Sequence, residues 1–415
     1  MRVVICGAGV IGLNCAHYLR ERGHEVTVVE RETRERDACS FGNMGMVLPS
    51  HFVPLAAPGV VPLALKWLFD SASPFYVRPR VDPDFIAWAF RFIRAANAKH
   101  ASRSSPLMRD LLFASRRLYE ELADRTANEL GLVKRGMLIL CRTAQGLDDE
   151  AQAAAVANAL GVPGEVVSPA RASELDPGAQ MDIVGAVYYP LDCHLTPARL
   201  MATLLDLTEA AGVSFRWSTE VTGWRTSNAR IEAAKTTAGE LAADAFVLAG
   251  GSWSPAIVRG LGIRLSLQAG KGYSVTLTRP RELPQLCSGL SEARVAVTPM
   301  GSSLRIGGTM ELTGINRTIR NERVRAIIDA ATRYFPALRP EDFRDAPPWA
   351  GLRPCSPDGL PYVGRFARYP NLCAATGHAT MGVSLGPITG KLVAEILSDE
   401  TPSIAVEALA PDRYG

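Results

Sequence analysis

A short apolar run, Arg2-Val3-Val4-Ile5-Cys6, leads directly into Gly7-Ala8-Gly9-Val10-Ile11-Gly12, and a helical pattern from Val10 to Arg22 follows. A second apolar run, Glu25 to Val29, ends at Glu30. No other feature restricts the chain as much. Strand, glycine-rich turn, helix and strand in this order predict a parallel βαβ unit that seats a dinucleotide pyrophosphate at the helix N-terminus. Gly7 permits the tight turn, Gly9 lets the backbone approach the phosphates, and Gly12 permits close packing of helix on strand. Val10 and Ile11 open the helix, whose first N–H groups have no intrahelical partner. Glu30 stands 18 residues after Gly12, where its carboxylate can accept from ribose hydroxyls, with Arg31 beside it. An acid here disfavours NADP, whose 2′-phosphate it would repel, and does not separate FAD from NAD. The bland alternative is a glycine-rich turn with no ligand. The strand, the helix and the acid together weigh against it.

The chain has 415 residues, 47% of them hydrophobic, which is long for one domain and predicts two intimately joined ones. Its 45 basic and 42 acidic residues nearly balance, so no nucleic acid partner is expected. None of the eight cysteines forms a C-x-x-C pair, so no metal site is expected, and scattered thiols suit a reducing compartment. The chain enters a strand at once, so no signal peptide is expected and the location reads as cytoplasmic, with the inner face of the membrane also open. The longest apolar stretch, Phe52 to Phe69, carries only Lys66 as a charge and is broken by Pro54, Pro58 and Pro62, which argues against a spanning helix. It reads as a buried or lid-like loop, or as a surface for peripheral membrane contact or an electron-accepting partner.

Residues 40–80, rich in Gly, Pro and Ser, read as irregular. Helical patterns follow over 82–99, 105–131, 144–160 and, with Thr196 as a candidate N-cap, up to Ala211. Strand patterns occupy Gly136–Cys141 and much of 213–249, and 264–310 alternates like antiparallel strands. Helices close the chain at 321–335 and 384–398. Apolar strands at 246–251 and 372–377 stand far from the opening unit, so one dinucleotide domain is expected to be assembled from separated segments. The expected fold class is α/β: a discontinuous Rossmann-type dinucleotide-binding domain with an inserted α+β substrate domain on a mainly antiparallel sheet. The expected division gives residues 1–80, part of 136–250, and 350–415 to the first. The second takes the helical segment 81–135, roughly 161–200, and 251–349.

The choice of FAD comes from a resemblance. The stretch Gly7 to Arg31, the segment Ser40-Phe41-Gly42-Asn43-Met44-Gly45-Met46, and the run from Gly351-Leu352-Arg353-Pro354-Cys355 through Gly377-His378 together resemble the D-amino-acid dehydrogenase family, within the group that contains glycine oxidase and D-amino-acid oxidase. The resemblance spans essentially the whole chain. It implies FAD bound in extended form, with Ser40, Asn43, Gly45 and Met46 against its pyrophosphate and ring. Val221 would contact the adenine side, and Ala249, Gly250 and Trp253 would lie behind the cofactor, although Trp253 reads equally as core. Gly377, His378, Met381, Gly382 and Val383 would approach the flavin's pyrimidine edge. Gly351 occupies the place where some members attach FAD through a cysteine, and Cys355 is offset, so the FAD is expected to be non-covalent.

The resemblance also implies the chemistry. The Cα hydrogen of an amino acid passes to flavin N5 as hydride while the neutral amine forms an imine, so a dedicated base is not required. The indispensable protein group is a cation for the carboxylate. Arg353 in Gly-Leu-Arg-Pro is the leading candidate, able to grip it with two parallel hydrogen bonds. Its bland reading is a structural ion pair. Tyr273 matches a substrate-side tyrosine of the group, or else packs in the core. Thr380 stands where glycine oxidase has a second arginine. The stretch Ser-Phe-Gly-Asn through Leu48-Pro49-Ser50-His51-Phe52 is similar to the D-hydroxyproline dehydrogenase subgroup, and His51 over the flavin could bond a ring hydroxyl. It reads equally as an ordinary loop histidine, and His194 and His378 share that ambiguity. Met46, Ser50, His378 and Thr380 are further lining candidates. The expected substrate is 4-hydroxy-D-proline or D-proline, the product a pyrroline carboxylate, and the acceptor a quinone or carrier protein. The alternatives are a glycine- or sarcosine-type oxidase using oxygen, an FAD-carrying subunit of a larger complex, and an NAD-binding dehydrogenase.

Overall fold

The computed structural model of the chain describes residues 1–62, 73–78 and 80–414. The segment from 63 to 69 of the apolar stretch, Lys66 included, lies outside the described residues. The part before it is mixed: Phe52 and Ala56 are buried, whereas Val53 is exposed.

The opening unit forms as its pattern dictates. Strand Arg2–Cys6 runs parallel to Glu25–Val29, joined by helix Val10–Glu21. Around them a six-stranded sheet takes the order Tyr362–Arg365, Leu372–Thr376, Ala245–Leu248, Arg2–Cys6, Glu25–Val29, Ser214–Arg216, with only the first of these antiparallel to its neighbour. Alternation along each strand divides the side chains between two cores. Val3, Ile5, Val28, Val247 and Cys373 pack under helices Val10–Glu21 and Gly382–Leu397. Val4, Val29, Phe246, Leu248 and Leu372 face the opposite way, toward Ile231 and Tyr362. Period-two strands buried on both faces are what a parallel sheet requires, and each fully buried Val, Ile or Phe contributes roughly 1.5–3 kcal/mol over leaving it exposed. The dinucleotide domain is therefore stitched from both ends and the middle of the chain.

The second sheet is mainly antiparallel and follows the order Pro348–Cys355, Gln268–Leu277, Ser303–Leu312, Val295–Met300, Cys287–Leu290, Met137–Cys141, Gly185–Tyr189, Glu165–Val167, with Phe75–Val77 paired to Ser303–Leu312. Three stretches that the expected division places in the dinucleotide domain lie in this sheet: Phe75–Val77, Met137–Cys141 and residues 350–355. Met137–Cys141 is buried at every position, so its sequence shows that it is a strand without showing which sheet it joins.

The paired helices also differ from expectation. They run over Pro83–Ala95 and Ala98–Arg125. Asn97 caps the second by accepting from the His100 N–H, so the helix starts well before 105 and carries Pro106 inside it. Thr196 does hold the cap position before Pro197, but its hydroxyl makes no capping bond.

Candidate functional site

A cavity of about 1140 Å³ runs between the two sheets, above the roughly 300–1,000 Å³ of an ordinary small-molecule site. One end is the glycine-rich turn. Gly7 has φ +112°, and a Cβ there would stand 2.6 Å from the Ala249 carbonyl oxygen. A Cβ on Gly12 would lie 1.9 Å from the Gly7 carbonyl oxygen, so Gly12 serves helix–turn packing and does not line the cavity. Gly9 differs. It does line the cavity, and a Cβ on it would meet only Ser40 Oγ, at 3.4 Å. The protein itself does not need a glycine at 9; the space left open belongs to whatever occupies the cavity.

Glu30 Oε2 accepts from the Ala8 N–H at 2.8 Å and Oε1 from the Glu32 N–H at 3.1 Å, which ties the turn to the end of the second strand. Each oxygen keeps capacity for a further donor. Beside it Arg31 lies over the Trp253 ring, 3.8 Å from its centre, and both residues line the cavity with Val221, Ala249 and Gly250. Val10 and Ile11 line the helix end, where the Val10 N–H donates to Ser40 Oγ at 2.9 Å.

The loop at 40–46 is fixed from both sides. Asn43 Oδ1 accepts from the Gly45 N–H, and Gly45, with φ +63°, has no room for a Cβ, which would meet the Leu195 carbonyl oxygen at 2.1 Å. Arg305 donates to the Phe41 and Asn43 carbonyls, and Ser274 Oγ to the Gly42 carbonyl. Burial without a carboxylate partner pushes Arg305 down to about 10. Met46 continues into a two-residue strand paired with Cys193–His194, and Ser384 Oγ donates to its carbonyl. On the opposite wall stand His378, Thr380, Met381, Gly382 and Val383, at the entry to the last helix. Gly377 is not part of the lining; with φ +81° it backs onto the Tyr362 ring.

Arg353 enters from strand Pro348–Cys355. One guanidinium nitrogen donates to the Thr309 carbonyl at 2.6 Å, and among the described residues it has no carboxylate partner. Burial lowers its affinity for the proton. A half-buried guanidinium facing a cavity with no counter-ion is a site for an anion. Tyr273, on the adjoining strand, borders the cavity, but its side chain turns away from Arg353 into the second core, where its buried hydroxyl lies beside Glu311 and stays protonated; it packs as a core residue and does not face the substrate space. Behind it Lys271, Glu311 and Arg323 form a buried ionic cluster that the sequence reading missed.

His51 and Ser50 line the same cavity. His51 is open to the cavity space but surrounded by protein beyond it, and burial with Arg294 pushes its ring down to about 4. Its Nδ1 lies 2.9 Å from Ser50 Oγ, which donates to Asp192. His378 is buried, bonds Thr389 Oγ1 at 2.9 Å and is pushed to about 3. His194 is not part of the lining: it is 2% exposed and its ring is held neutral by burial. Cys355 is buried, with burial pushing its thiol to about 12. A Cβ on Gly351 would stand 2.0 Å from the Trp349 ring, so a side chain for covalent attachment there would have to displace the tryptophan.

The cavity thus gathers nearly all the residues singled out in the sequence. Asp192, Arg305, Ser274 and Trp349 were missed. Asp192 and Arg305 reach partners 142 and more than 260 residues away, a distance over which the sequence holds no signal.

A family model described as DAO, FAD dependent oxidoreductase, matches residues 2–396. A protein named D-amino acid dehydrogenase from Methylobacterium radiotolerans is 37% identical, and another of that name from Granulibacter bethesdensis is 35% identical, each alignment covering 100% of both chains. Glycine oxidase from Geobacillus kaustophilus shares the fold with a TM-score of 0.79 and 26% identity, over 100% of this chain and 99% of that one.

Proposed function

The chain belongs to the DAO family of FAD-dependent oxidoreductases, and from that premise we propose that it oxidises a D-amino acid to its imine, with D-proline or 4-hydroxy-D-proline as substrate and a quinone or carrier protein as acceptor. The cavity suits FAD: Gly9 leaves open the space that a pyrophosphate needs, the helix N-terminus faces it, and Glu30 retains acceptors for a ribose. When bound, the flavin supplies a hydride acceptor at N5. The protein's own residues do the rest.

The observation that carries the reading is the unpaired Arg353 guanidinium at the cavity wall. It would hold the substrate carboxylate by two parallel bonds and so fix the direction of the Cα–H bond. His51, neutral, would accept from a hydroxyl or amine on the substrate's far side. Thr380 places no second cation on the wall at the entry to the last helix; Arg294 and Arg317 line the cavity elsewhere. The D configuration rests on the names of the relatives.

Contact with a membrane, where quinones reside, is favoured by one feature. Helix Pro83–Ala95 exposes Ile86, Phe90 and Ile93 on one face, beside exposed Arg94 and Lys99. Among the described residues no helix is long and apolar enough to cross a membrane.

Anaerobic mixing of the FAD-loaded protein with D-proline, 4-hydroxy-D-proline, their L-enantiomers, D-alanine and glycine tests the reading. Loss of flavin absorbance near about 450 nm with the D-cyclic pair is expected. Reduction by L-amino acids alone rejects the stereochemistry. Survival of both rate and apparent affinity within a few-fold in Arg353→Lys rejects the carboxylate role.

A further inference from the structure

Ser50 joins two groups that the sequence gives no reason to connect. Its N–H donates to Asp192 Oδ1 at 3.0 Å and its hydroxyl to Oδ2, while the same hydroxyl oxygen lies 2.9 Å from His51 Nδ1. Asp192 is 1% exposed and sits in the turn between strands Gly185–Tyr189 and Cys193–His194. That turn is pinned by two backbone bonds, Asp192 N–H to the Tyr189 carbonyl and Gly136 N–H to the Asp192 carbonyl. The carboxylate therefore has a fixed position, and Ser50 is held to it twice.

A hydroxyl has one proton to give. Ser50 gives it to Asp192, so only oxygen lone pairs remain for His51. The donor in that second bond is then the Nδ1–H of a neutral imidazole, and Nε2 is left with its lone pair. Among the described residues Nε2 has no hydrogen-bond partner, and the ring lines the cavity. We propose that Asp192 and Ser50 are positioning residues that lock His51 as the Nδ1–H tautomer and so present Nε2 as a fixed acceptor to an N–H or O–H of the substrate. The substrate here is that of the function proposed above; the tautomer does not depend on it.

The surroundings are consistent with this polarity. Arg294 faces His51 and, with burial, keeps the ring uncharged. Arg116 stands near Asp192, and Cys193, Cys287 and Tyr189 are its other titratable neighbours, all held protonated by burial. Burial pushes Asp192 itself up to about 7. Above that pH the chain of bonds runs from His51 through Ser50 to the carboxylate. Below it a protonated Asp192 can donate to Ser50, Ser50 to Nδ1, and the acceptor at Nε2 is lost.

Nitrogen–proton correlation spectra of the histidine rings in the FAD-loaded protein, without substrate, test this directly. There are six histidines, and His51→Gln assigns the one in question. At pH 8 the Nδ1–H form is expected, and Ser50→Ala and Asp192→Asn should each convert it to a tautomer mixture with the flavin spectrum unchanged. Both variants should raise KM for D-proline about tenfold, the worth of one well-placed hydrogen bond, while kcat falls less. An Nε2–H form in the unmodified protein, or ring signals unchanged in both variants, overturns the proposal. Should Asp192→Asn fail to fold, Ser50→Ala carries the same test. If no D-amino acid reduces the flavin, the functional reading fails while the tautomer result still decides this one.

Discussion

The Arg353 guanidinium lies across the α-carbon of Gly272 on the adjoining strand, so that a methyl group built there would stand 2.2 Å from both of its terminal nitrogens. Strand Gln268–Leu277 gives up a side chain at that point, and the cation occupies the vacated space. A glycine that looks like a weak strand residue is thus the floor on which the Arg353 guanidinium rests.

Gly272→Ala should separate folding from binding. The clash is with the far end of a flexible side chain, so the sheet can keep its register while Arg353 gives way and loses its bond to the Thr309 carbonyl. A displacement of an ångström or so in a positioning group costs about 10²-fold. A fall of that order in kcat/KM for D-proline is expected, with the melting temperature and flavin content nearly unchanged. Equal loss of flavin and activity would show that Gly272 serves the cofactor instead.

The second and third glycines of the turn should fail in opposite ways. In Gly12→Ala the new carbon would fall 1.9 Å from a backbone oxygen, which cannot yield, so little folded protein is expected. In Gly9→Ala the new carbon meets only the Ser40 hydroxyl at 3.4 Å. The apoprotein should then melt within a few degrees of the parent and retain FAD at least tenfold less tightly. Calorimetry of the apoproteins and fluorescence titration with FAD distinguish the two cases.

This contrast also shows what the sequence made legible. The βαβ unit could be read because its strand, turn and helix are contiguous and each glycine has a local reason. The Ser40–Met46 loop and Arg353 were reached by resemblance, and the structure brings them to one cavity. The membership of Met137–Cys141 was not legible, because a strand apolar on both faces fits either sheet. Nor was Asp192, a single acid in a turn whose partner is settled only when two distant loops meet.

Asp192 gives a pH dependence with a definite sign. Its carboxyl is raised from 3.8 to about 7 in the folded state, so the folded protein binds this proton more tightly than the unfolded chain does. The associated stability is fully present below about pH 4 and is lost as pH rises through about 7. Three units at about 1.4 kcal/mol each set the ceiling at roughly 4 kcal/mol. Asp358 and Glu292, whose carboxyls are lowered, slope the other way but are common to the parent and Asp192→Asn. The stability of the parent relative to Asp192→Asn, from urea unfolding at pH 4.5, 6 and 8, should therefore fall with pH and level off near 8. A rising difference would mean that the hydrogen bonds from Ser50 outweigh burial.

The exposed face of helix Pro83–Ala95 predicts how a membrane would be met. Ile86, Phe90 and Ile93 are 54%, 60% and 57% exposed at a spacing of four and three, so they share one side of the helix. The buried side is anchored by Trp88, whose indole N–H donates to the Cys355 carbonyl at 2.9 Å, which fixes the helix's rotation and leaves that apolar stripe outward. Asp82 caps its start by accepting from the Asp84 and Phe85 N–H groups. An apolar stripe flanked by Arg94 and Lys99 suits an anionic bilayer surface, each basic residue contributing about 1 kcal/mol at low salt. The protein should co-sediment with vesicles containing phosphatidylglycerol and should be released as salt is raised. Phe90→Glu with Ile93→Glu should weaken that binding at least tenfold and lower the rate with a vesicle-borne quinone, while flavin reduction by the amino acid stays unchanged, because neither residue lines the cavity. Equal sedimentation of parent and variant would move the contact elsewhere on the surface.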